Sequence, residues 1–505
     1  MKKPTLRWVG IQLGLWVYVG SAAVGLIFLL KEDRASAVIA GLVFAGVILF
    51  SKYVLGFGFL SAPMLYFAGL GLFHLGLVVP WALGLYDTSE VWWFRREELT
   101  PAVGLVTVAL VSLQLGIITA ARHRPLNNTL HRFGDQVFLT DQLLFRVGVA
   151  LLLLGAASYF VGLYGVFGTG FWRIAYREVP LLLVTRDARP YYAGLLLVPI
   201  GAYLATAGAS RRQLRLVLGL VGVWAACQLF FGLRNAAIVP ALVVVYLLHK
   251  KGIRFSRSLQ YLLLAAVFLA IPAIRAVREE VASQRASALF SAKLNPVGGI
   301  AEMGQSIWPV VATYRLTDSK EFRLGRTYVK ALRRVVPYSV MGYDPISGQS
   351  QLTLEDFPTY WLVATTEPWS LRRNMSAAFS WVAEAYINFG VAGVFLMFFA
   401  LGYLLTRLEQ MPARSPYLLA AQAVVLAPLL WCVRSDFNTF VRPAAWGLAC
   451  VGVVWWLSSR LKKVRGRTSG MEGVTPSLVA GSPQHSRSAR GPAGVASGGG
   501  LCTRR

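Results

Sequence analysis

Acidic residues are scarce: 23 Asp and Glu stand against 50 Lys and Arg in 505 residues, and charged residues of both signs make up only 14% of the chain. A soluble protein would carry about a quarter. Cysteine is limited to four residues and histidine to five. Cys227, Cys432 and Cys450 lie in or beside apolar runs, with Cys502 near the end, and no pair has the spacing of a metal site or disulfide framework. His74 sits in an apolar run and His123, His131, His249 and His485 in basic stretches, so no His/Cys/carboxylate cluster points to zinc. Also missing are a Walker A phosphate loop, the dinucleotide-binding glycine fingerprint and a Gly-x-Ser-x-Gly elbow. ATP-driven transport and serine hydrolysis therefore have no support.

What is there is apolar: 56% of residues are hydrophobic and the mean hydropathy is +0.56. A helix needs about 20 apolar residues to cross the hydrocarbon core, and only helices or closed barrels satisfy their backbone there. The apolar runs predict an all-α, polytopic membrane protein with about twelve transmembrane helices. They run approximately over Trp8–Leu30, Ala37–Ser51, Phe59–Leu85, Pro101–Ala121, Leu143–Phe167, Tyr192–Gly208, Gln213–Phe231, Asn235–Leu248, Leu259–Ile274, Phe379–Leu405, Tyr417–Trp431 and Val441–Ser459. The second, eighth and eleventh runs are short, which admits a broken or re-entrant helix. The first run follows a basic start but is longer than a signal-peptide core, so it reads as a retained helix.

Lys and Arg accumulate in short cytoplasmic loops. Lys2, Lys3 and Arg7, then Lys52, Arg122 and Arg124, Arg211 and Arg212, Lys250 and Lys251, Arg407 and Arg414, and Arg460 to Arg467 all fall on one side of that count. Both termini are therefore expected in the cytoplasm. The expected organisation is a membrane domain over 1–460, a large periplasmic loop at 275–378 within it, and a disordered basic cytoplasmic tail over 461–505. The net charge of +27 belongs largely to this fringe, which anionic lipid headgroups neutralise. A nucleic-acid binder would gather its charge on one soluble module, and none exists.

The outer segments prefer arginine. Segment 275–378 holds Arg275, Arg278, Arg285, Arg315, Arg323, Arg326, Arg333, Arg334, Arg372 and Arg373 against Lys293, Lys320 and Lys330. The shorter loop before Tyr192 adds Arg173, Arg177, Arg186 and Arg189 with no lysine. A guanidinium offers a planar fork of donors that matches phosphate, whereas lysine is a point charge. Lipid-headgroup contacts and ion pairs such as Arg275 with Glu279 are the plainer alternative. Four constellations are sharper. Arg234 lies in the turn Gly-Leu-Arg-Asn, where it could instead snorkel to the interface. Glu302 and Gln305 share a helical face and could meet a sugar hydroxyl, or serve a helix end. Trp381, Glu384 and Asn388 at i, i+3 and i+7 share a face of the tenth run, and a carboxylate entering the membrane is a functional hypothesis by default. Arg434 and Asp436 form the last outer turn, where they could also pair with each other.

Through these residues the chain resembles the Wzy-type O-antigen and exopolysaccharide repeat-unit polymerases. The likeness rests on Gly232-Leu233-Arg234-Asn235, Glu302-Met303-Gly304-Gln305-Ser306, Gly325-Arg326-Thr327-Tyr328, Ala383-Glu384-Ala385-Tyr386-Ile387-Asn388-Phe389-Gly390 and Arg434-Ser435-Asp436. In the last motif Ser435 replaces the glycine of the family's Arg-Gly-Asp pattern. The resemblance implies a GT-C-like fold in the bacterial inner membrane and metal-free, cofactor-free glycosyl transfer on the periplasmic face. It further implies that undecaprenyl-pyrophosphate-linked repeat units are the substrate, with a flippase and a chain-length regulator as pathway partners. The candidate site takes Glu384, Glu302 and Asp436 as catalytic carboxylates. Arg234, Arg275, Arg278, Gln305, Arg326, Tyr328, Asn388 and Arg434 are its substrate-binding residues. Positive groups would stabilise a departing pyrophosphate and one carboxylate would take the acceptor hydroxyl's proton, although spacing does not single out which.

Two rivals remain. An O-antigen ligase uses the same donor, but its family pattern places a histidine in the large periplasmic loop and segment 275–378 has none. A lipid-linked oligosaccharide flippase would place charges or broken helices near the midplane and often carries inverted repeats, which this sequence does not display.

Overall fold

The computed structural model describes residues 6–89, 91, 93–94, 99–122, 140–173, 189–253, 256, 258, 295–317, 321–336, 357–366 and 379–469. All regular structure among the described residues is helical: α1 (Leu6–Leu30), α2 (Asp33–Tyr53), α3 (Ala62–His74), α4 (Val78–Ala82), α5 (Leu99–Ala121), α6 (Gln142–Phe167), α7 (Arg189–Gly208), α8 (Arg211–Phe230), α9 (Arg234–Lys250), α10 (Pro296–Gly304), α11 (Trp308–Thr317), α12 (Arg326–Arg333), α13 (Pro358–Thr366), α14 (Trp381–Gln410), α15 (Pro416–Cys432) and α16 (Phe437–Ser469). Among them, 8 are long and apolar enough to cross a membrane. The ninth apolar run, Leu259–Ile274, lies outside the described residues. The chain divides into a unit Met1–Trp456 and a second beginning at Leu457, which is described only as the end of α16. That helix continues to Ser469, past the point where the sequence reading begins a disordered tail.

Large apolar side chains remain exposed along the outer faces, among them Leu29 at 78%, Val223 at 65% and Leu396 at 64%. Such exposure fits hydrocarbon as the surrounding solvent. Helix α5 is the opposite case, buried along nearly its whole length between α1, α2 and α14. Without a hydrophobic drive between helices in lipid, close packing needs small residues. Helices α6 and α7 meet through glycines every seven residues, Gly148, Gly155 and Gly162 on one and Gly194, Gly201 and Gly208 on the other. A Cβ on Gly201 would stand 2.7 Å from the Gly148 carbonyl oxygen, and one on Gly194 2.6 Å from that of Gly155. Gly201→Val is therefore expected to cost about 1–3 kcal/mol by overpacking and to lower membrane accumulation and melting temperature in detergent. Gly222→Val, which meets nothing within 4 Å, should leave both unchanged. Equal losses from the two would make the effect one of glycine removal rather than of contact.

Two of the expected spans are not continuous, and they are not the short ones. The second, eighth and eleventh runs form the unbroken helices α2, α9 and α15. The third run instead breaks after His74 and resumes as the single turn-and-a-half of α4. Helix α10 packs into that gap: a Cβ on Gly76 would lie 2.7 Å from the Ile300 carbonyl oxygen, and one on Gly304 would collide with the Leu77 backbone nitrogen. The tenth run breaks at Phe389 and Gly390, where φ is −143° and +64°.

The described parts of segment 275–378 include helices with buried faces. Ala301, Ile307, Val310 and Ala312 are completely buried, and α10 and α11 pack on α3, α5 and α14. At the far end of α14 the basic turn after α9 is tied down. Lys250 Nζ donates to the Glu409 backbone oxygen (2.6 Å) and carboxylate (3.2 Å), and Lys251 Nζ caps the end of α7 through the carbonyls of Thr206, Ala207 and Ala209.

Candidate functional site

The opposite end of α14, where Trp381 begins it, carries the densest set of buried polar contacts. Ser380 caps the helix: its hydroxyl accepts from Val382 N (3.2 Å) and lies 2.7 Å from His74 Nε2. His74 Nδ1 faces the Leu70 carbonyl at 3.2 Å, which requires that nitrogen to donate and leaves Nε2 to accept from Ser380. This bond pins the broken end of α3 to the start of α14.

One turn on, Glu384 and Asn388 hold three segments together. The break at Gly390 frees the carbonyls of Ile387 and Asn388, which accept from the backbone nitrogens of Arg323 and Leu324, both at 3.0 Å. Asn388 Oδ1 accepts from Gly325 N (3.0 Å), and its Nδ2 donates to Thr327 Oγ1 (2.8 Å) and to the Glu384 backbone oxygen (2.8 Å). Thr327 Oγ1 in turn donates a hydrogen bond to Glu384 Oε1 at 2.7 Å. The other Glu384 oxygen accepts from Phe437 N at 2.6 Å. That N–H is one of the donors left unpaired where α16 starts, the end at which a helix dipole favours a carboxylate. Glu384 is 1% exposed and Asn388 is completely buried.

The aromatic rings around this network close it off. Trp381 stacks on Phe437 with centroids 5.7 Å apart, and Tyr328 meets Phe437 edge-on at 5.2 Å. Burial, with the Glu384 charge behind it, pushes the Tyr328 phenol well above its usual range, so it stays neutral. The preceding residue, Asp436, accepts from Thr359 Oγ1 (2.9 Å) and from Thr439 through its backbone nitrogen (3.3 Å) and hydroxyl (3.1 Å). Trp381, Glu384 and Asn388 thus share the face that their spacing predicts.

Around this acidic knot sits a basic rim. Arg326 is exposed at the first position of α12, the Arg323 guanidinium lies 4.5 Å from the Trp361 ring centroid, and that of Arg434 lies 5.8 Å from Phe73. Partial burial and the charges of Arg326, Arg323 and Arg333 draw the Lys330 ammonium below the usual lysine range. A positive potential of this kind attracts an anion.

A second pair stands where α10 enters the gap between α3 and α4. Arg234, at the first position of α9 and 4% exposed, forms an ion pair with Glu302 through Nη2, and its Nη1 lies 3.6 Å from Met303 Sδ. Glu302 is 17% exposed, and its second oxygen meets no donor among the described residues. Gln305 opens a short 3-10 turn, half-buried. Arg275 and Arg278 lie outside the described residues. The spacing argument missed Thr359, for which no local signal exists. It also gave no role to Thr327, although this residue stands inside a quoted motif, or to Arg323, counted only among the outer arginines.

No curated protein and no solved structure matches the chain. The model of one family does, over residues 15–464, nearly the whole length: O-antigen polysaccharide polymerase Wzy. A match of that extent, on a many-helix chain that gathers arginines and carboxylates at one end of its bundle, places this protein in the Wzy family of O-antigen polysaccharide polymerases.

Proposed function

We propose that the chain joins undecaprenyl-pyrophosphate-linked repeat units at the periplasmic face of the bacterial inner membrane, on a GT-C-like scaffold of about twelve spans with both termini in the cytoplasm. A flippase would deliver the carrier-linked units to that face, and a chain-length regulator would act on the product. The observation that carries this reading is the arginine rim, with Arg326 exposed and Arg323 and Arg434 half-buried, beside a fully occupied carboxylate network. In the reaction, the acceptor sugar's hydroxyl oxygen attacks the anomeric carbon of the carrier-linked glycan. The bond from that carbon to the pyrophosphate oxygen breaks, and the electron pair leaves with the pyrophosphate. Arg323, Arg326 and Arg434 stabilise the charge that develops there. The acceptor proton goes to Glu302, whose second oxygen meets no donor among the described residues, while Arg234 fixes the first. Glu384 and Asn388 act through Thr327 and Phe437, positioning α12 and the Asp436 turn rather than touching sugar.

The test is Arg326→Ala, with Arg326→Lys beside it. Loss of one charge-assisted contact of about 1.5–3 kcal/mol corresponds to roughly a 10- to 150-fold fall in polymerisation. The lysine variant should fall between, keeping charge but losing the fork. The readout is long-chain glycan on a gel, normalised to protein, together with the location of carrier-linked single repeats. Those repeats should build up on the outer face. Accumulation on the inner face instead would favour the flippase reading, and unchanged polymer would leave Arg326 as an ordinary interface residue.

A further inference from the structure

Helix α12 and the loop before it leave an apolar face uncovered. Leu324 is 78% exposed, Leu332 56% and Val329 54%, with Phe322 and Val336 also exposed. Val329 and Leu332 stand at i and i+3, hence on one side of the helix, and Val336 is exposed just past its end. Arg326, Lys330 and Arg333 recur at i, i+4 and i+7 on another. The third side turns inward, with Thr327 and Ala331 buried and Thr327 bonded to Glu384 and Asn388. The basic residues Arg323, Arg326, Lys330, Arg333 and Arg334 face one acidic residue, Glu321, within 321–336.

The uncovered face continues onto a helix that is apolar enough to span the membrane. Phe389 and Val391 of α14 are themselves exposed, and the Phe389 ring lies 6.4 Å from that of Tyr328. The Phe322 ring borders Gly390, and the Phe389 ring borders Gly325. An amphipathic helix with one apolar and one basic side, joined edge to edge to a lipid-facing surface, has the chemistry of a membrane interface. The cluster of positive charge fits the phosphates of anionic lipids.

We propose that α12 lies in the plane of an anionic phospholipid surface. Leu324, Val329, Leu332 and Val336 sit in the acyl boundary of the leaflet that Phe389 and Val391 meet, and Arg326, Lys330 and Arg333 lie among the headgroup phosphates. Because Thr327 joins the inward side of this helix to Glu384 and Asn388, the lipid surface then sets where the arginine rim stands. The inference does not depend on which reaction the rim serves.

The test uses the full chain carrying a fluorescent amino acid at Val329 or at Leu332, reconstituted into vesicles of phosphatidylcholine and phosphatidylglycerol. Emission at both positions should be quenched by brominated phosphatidylcholine and protected from aqueous iodide. Replacing Lys330 and Arg333 together by glutamate should raise iodide quenching roughly twofold or more, because attraction to the anionic headgroups is replaced by repulsion. Neither change requires an active enzyme. Quenching by iodide but not bromolipid would put the face in water and overturn the proposal. Protection from both quenchers would mean that protein covers the face, which overturns it equally. Bromolipid quenching that the glutamate pair does not alter would remove the headgroup half of the proposal.

Discussion

Glu384→Gln is expected to abolish long-chain polymer while the protein still reaches the membrane at close to its normal level. Glutamine keeps the shape and one carbonyl oxygen, which can go on accepting from Phe437 N, now held at 2.6 Å. The amide nitrogen must then face Thr327, whose hydroxyl already accepts from Asn388 Nδ2 and donates to the carboxylate at 2.7 Å. The threonine proton loses its acceptor, and a buried donor left unpaired costs about 1–3 kcal/mol. That is enough to shift a short helix held by few contacts and too little to unfold a bundle of this size. If Glu384 acts through Thr327, then Thr327→Val should reproduce the loss and Thr327→Ser should restore polymer. The double variant Glu384→Gln with Thr327→Val should be little worse than either alone, since residues in one network are not additive. A wild-type Thr327→Val would break this chain of reasoning and return Glu384 to a direct role at the sugar. Disappearance of Glu384→Gln from the membrane would assign the carboxylate to the fold.

The helices were legible because apolar runs of span length admit few other folds. Trp8–Leu30 became Leu6–Leu30 and Leu143–Phe167 became Gln142–Phe167. The breaks were not legible. Residues 59–85 are apolar on both sides of Gly76, so hydropathy is blind to an interruption into which α10, more than two hundred residues later, packs. Gly390 looks like any membrane glycine until the backbone of Arg323 and Leu324 arrives to use the carbonyls that its positive φ exposes. The site divides in the same way. Spacing put Trp381, Glu384 and Asn388 on one face because i, i+3 and i+7 lie within one helix. It could not name the Glu384 partners, since Thr327 is 57 residues away and the Phe437 backbone 53. The carboxylate is met by a hydroxyl and a backbone N–H, neutral donors that a search for opposite charge passes over.

Glu302→Ala should be the most damaging single substitution for stability, and the reason lies in its partner. Arg234 is 4% exposed, so removing the carboxylate leaves a buried guanidinium with its compensating charge gone. Breaking a buried pair from one side costs about 3–5 kcal/mol, a large share of a typical folding free energy. Arg234→Ala should be milder, because Glu302, 17% exposed, is closer to water and can recover solvation. The double variant Arg234→Met with Glu302→Met removes both charges and refills the volume beside Met303. Such apolar replacements of buried pairs are often neutral or stabilising, so membrane accumulation should return. Polymer should not, if Glu302 takes the acceptor proton, because general-base catalysis is worth roughly 10²- to 10⁴-fold and methionine offers no base. The two readouts thus separate the pair's part in holding α10 to α9 from its part in chemistry. Recovered protein with recovered polymer would take Glu302 out of the reaction and leave Asp436 as the carboxylate to test next.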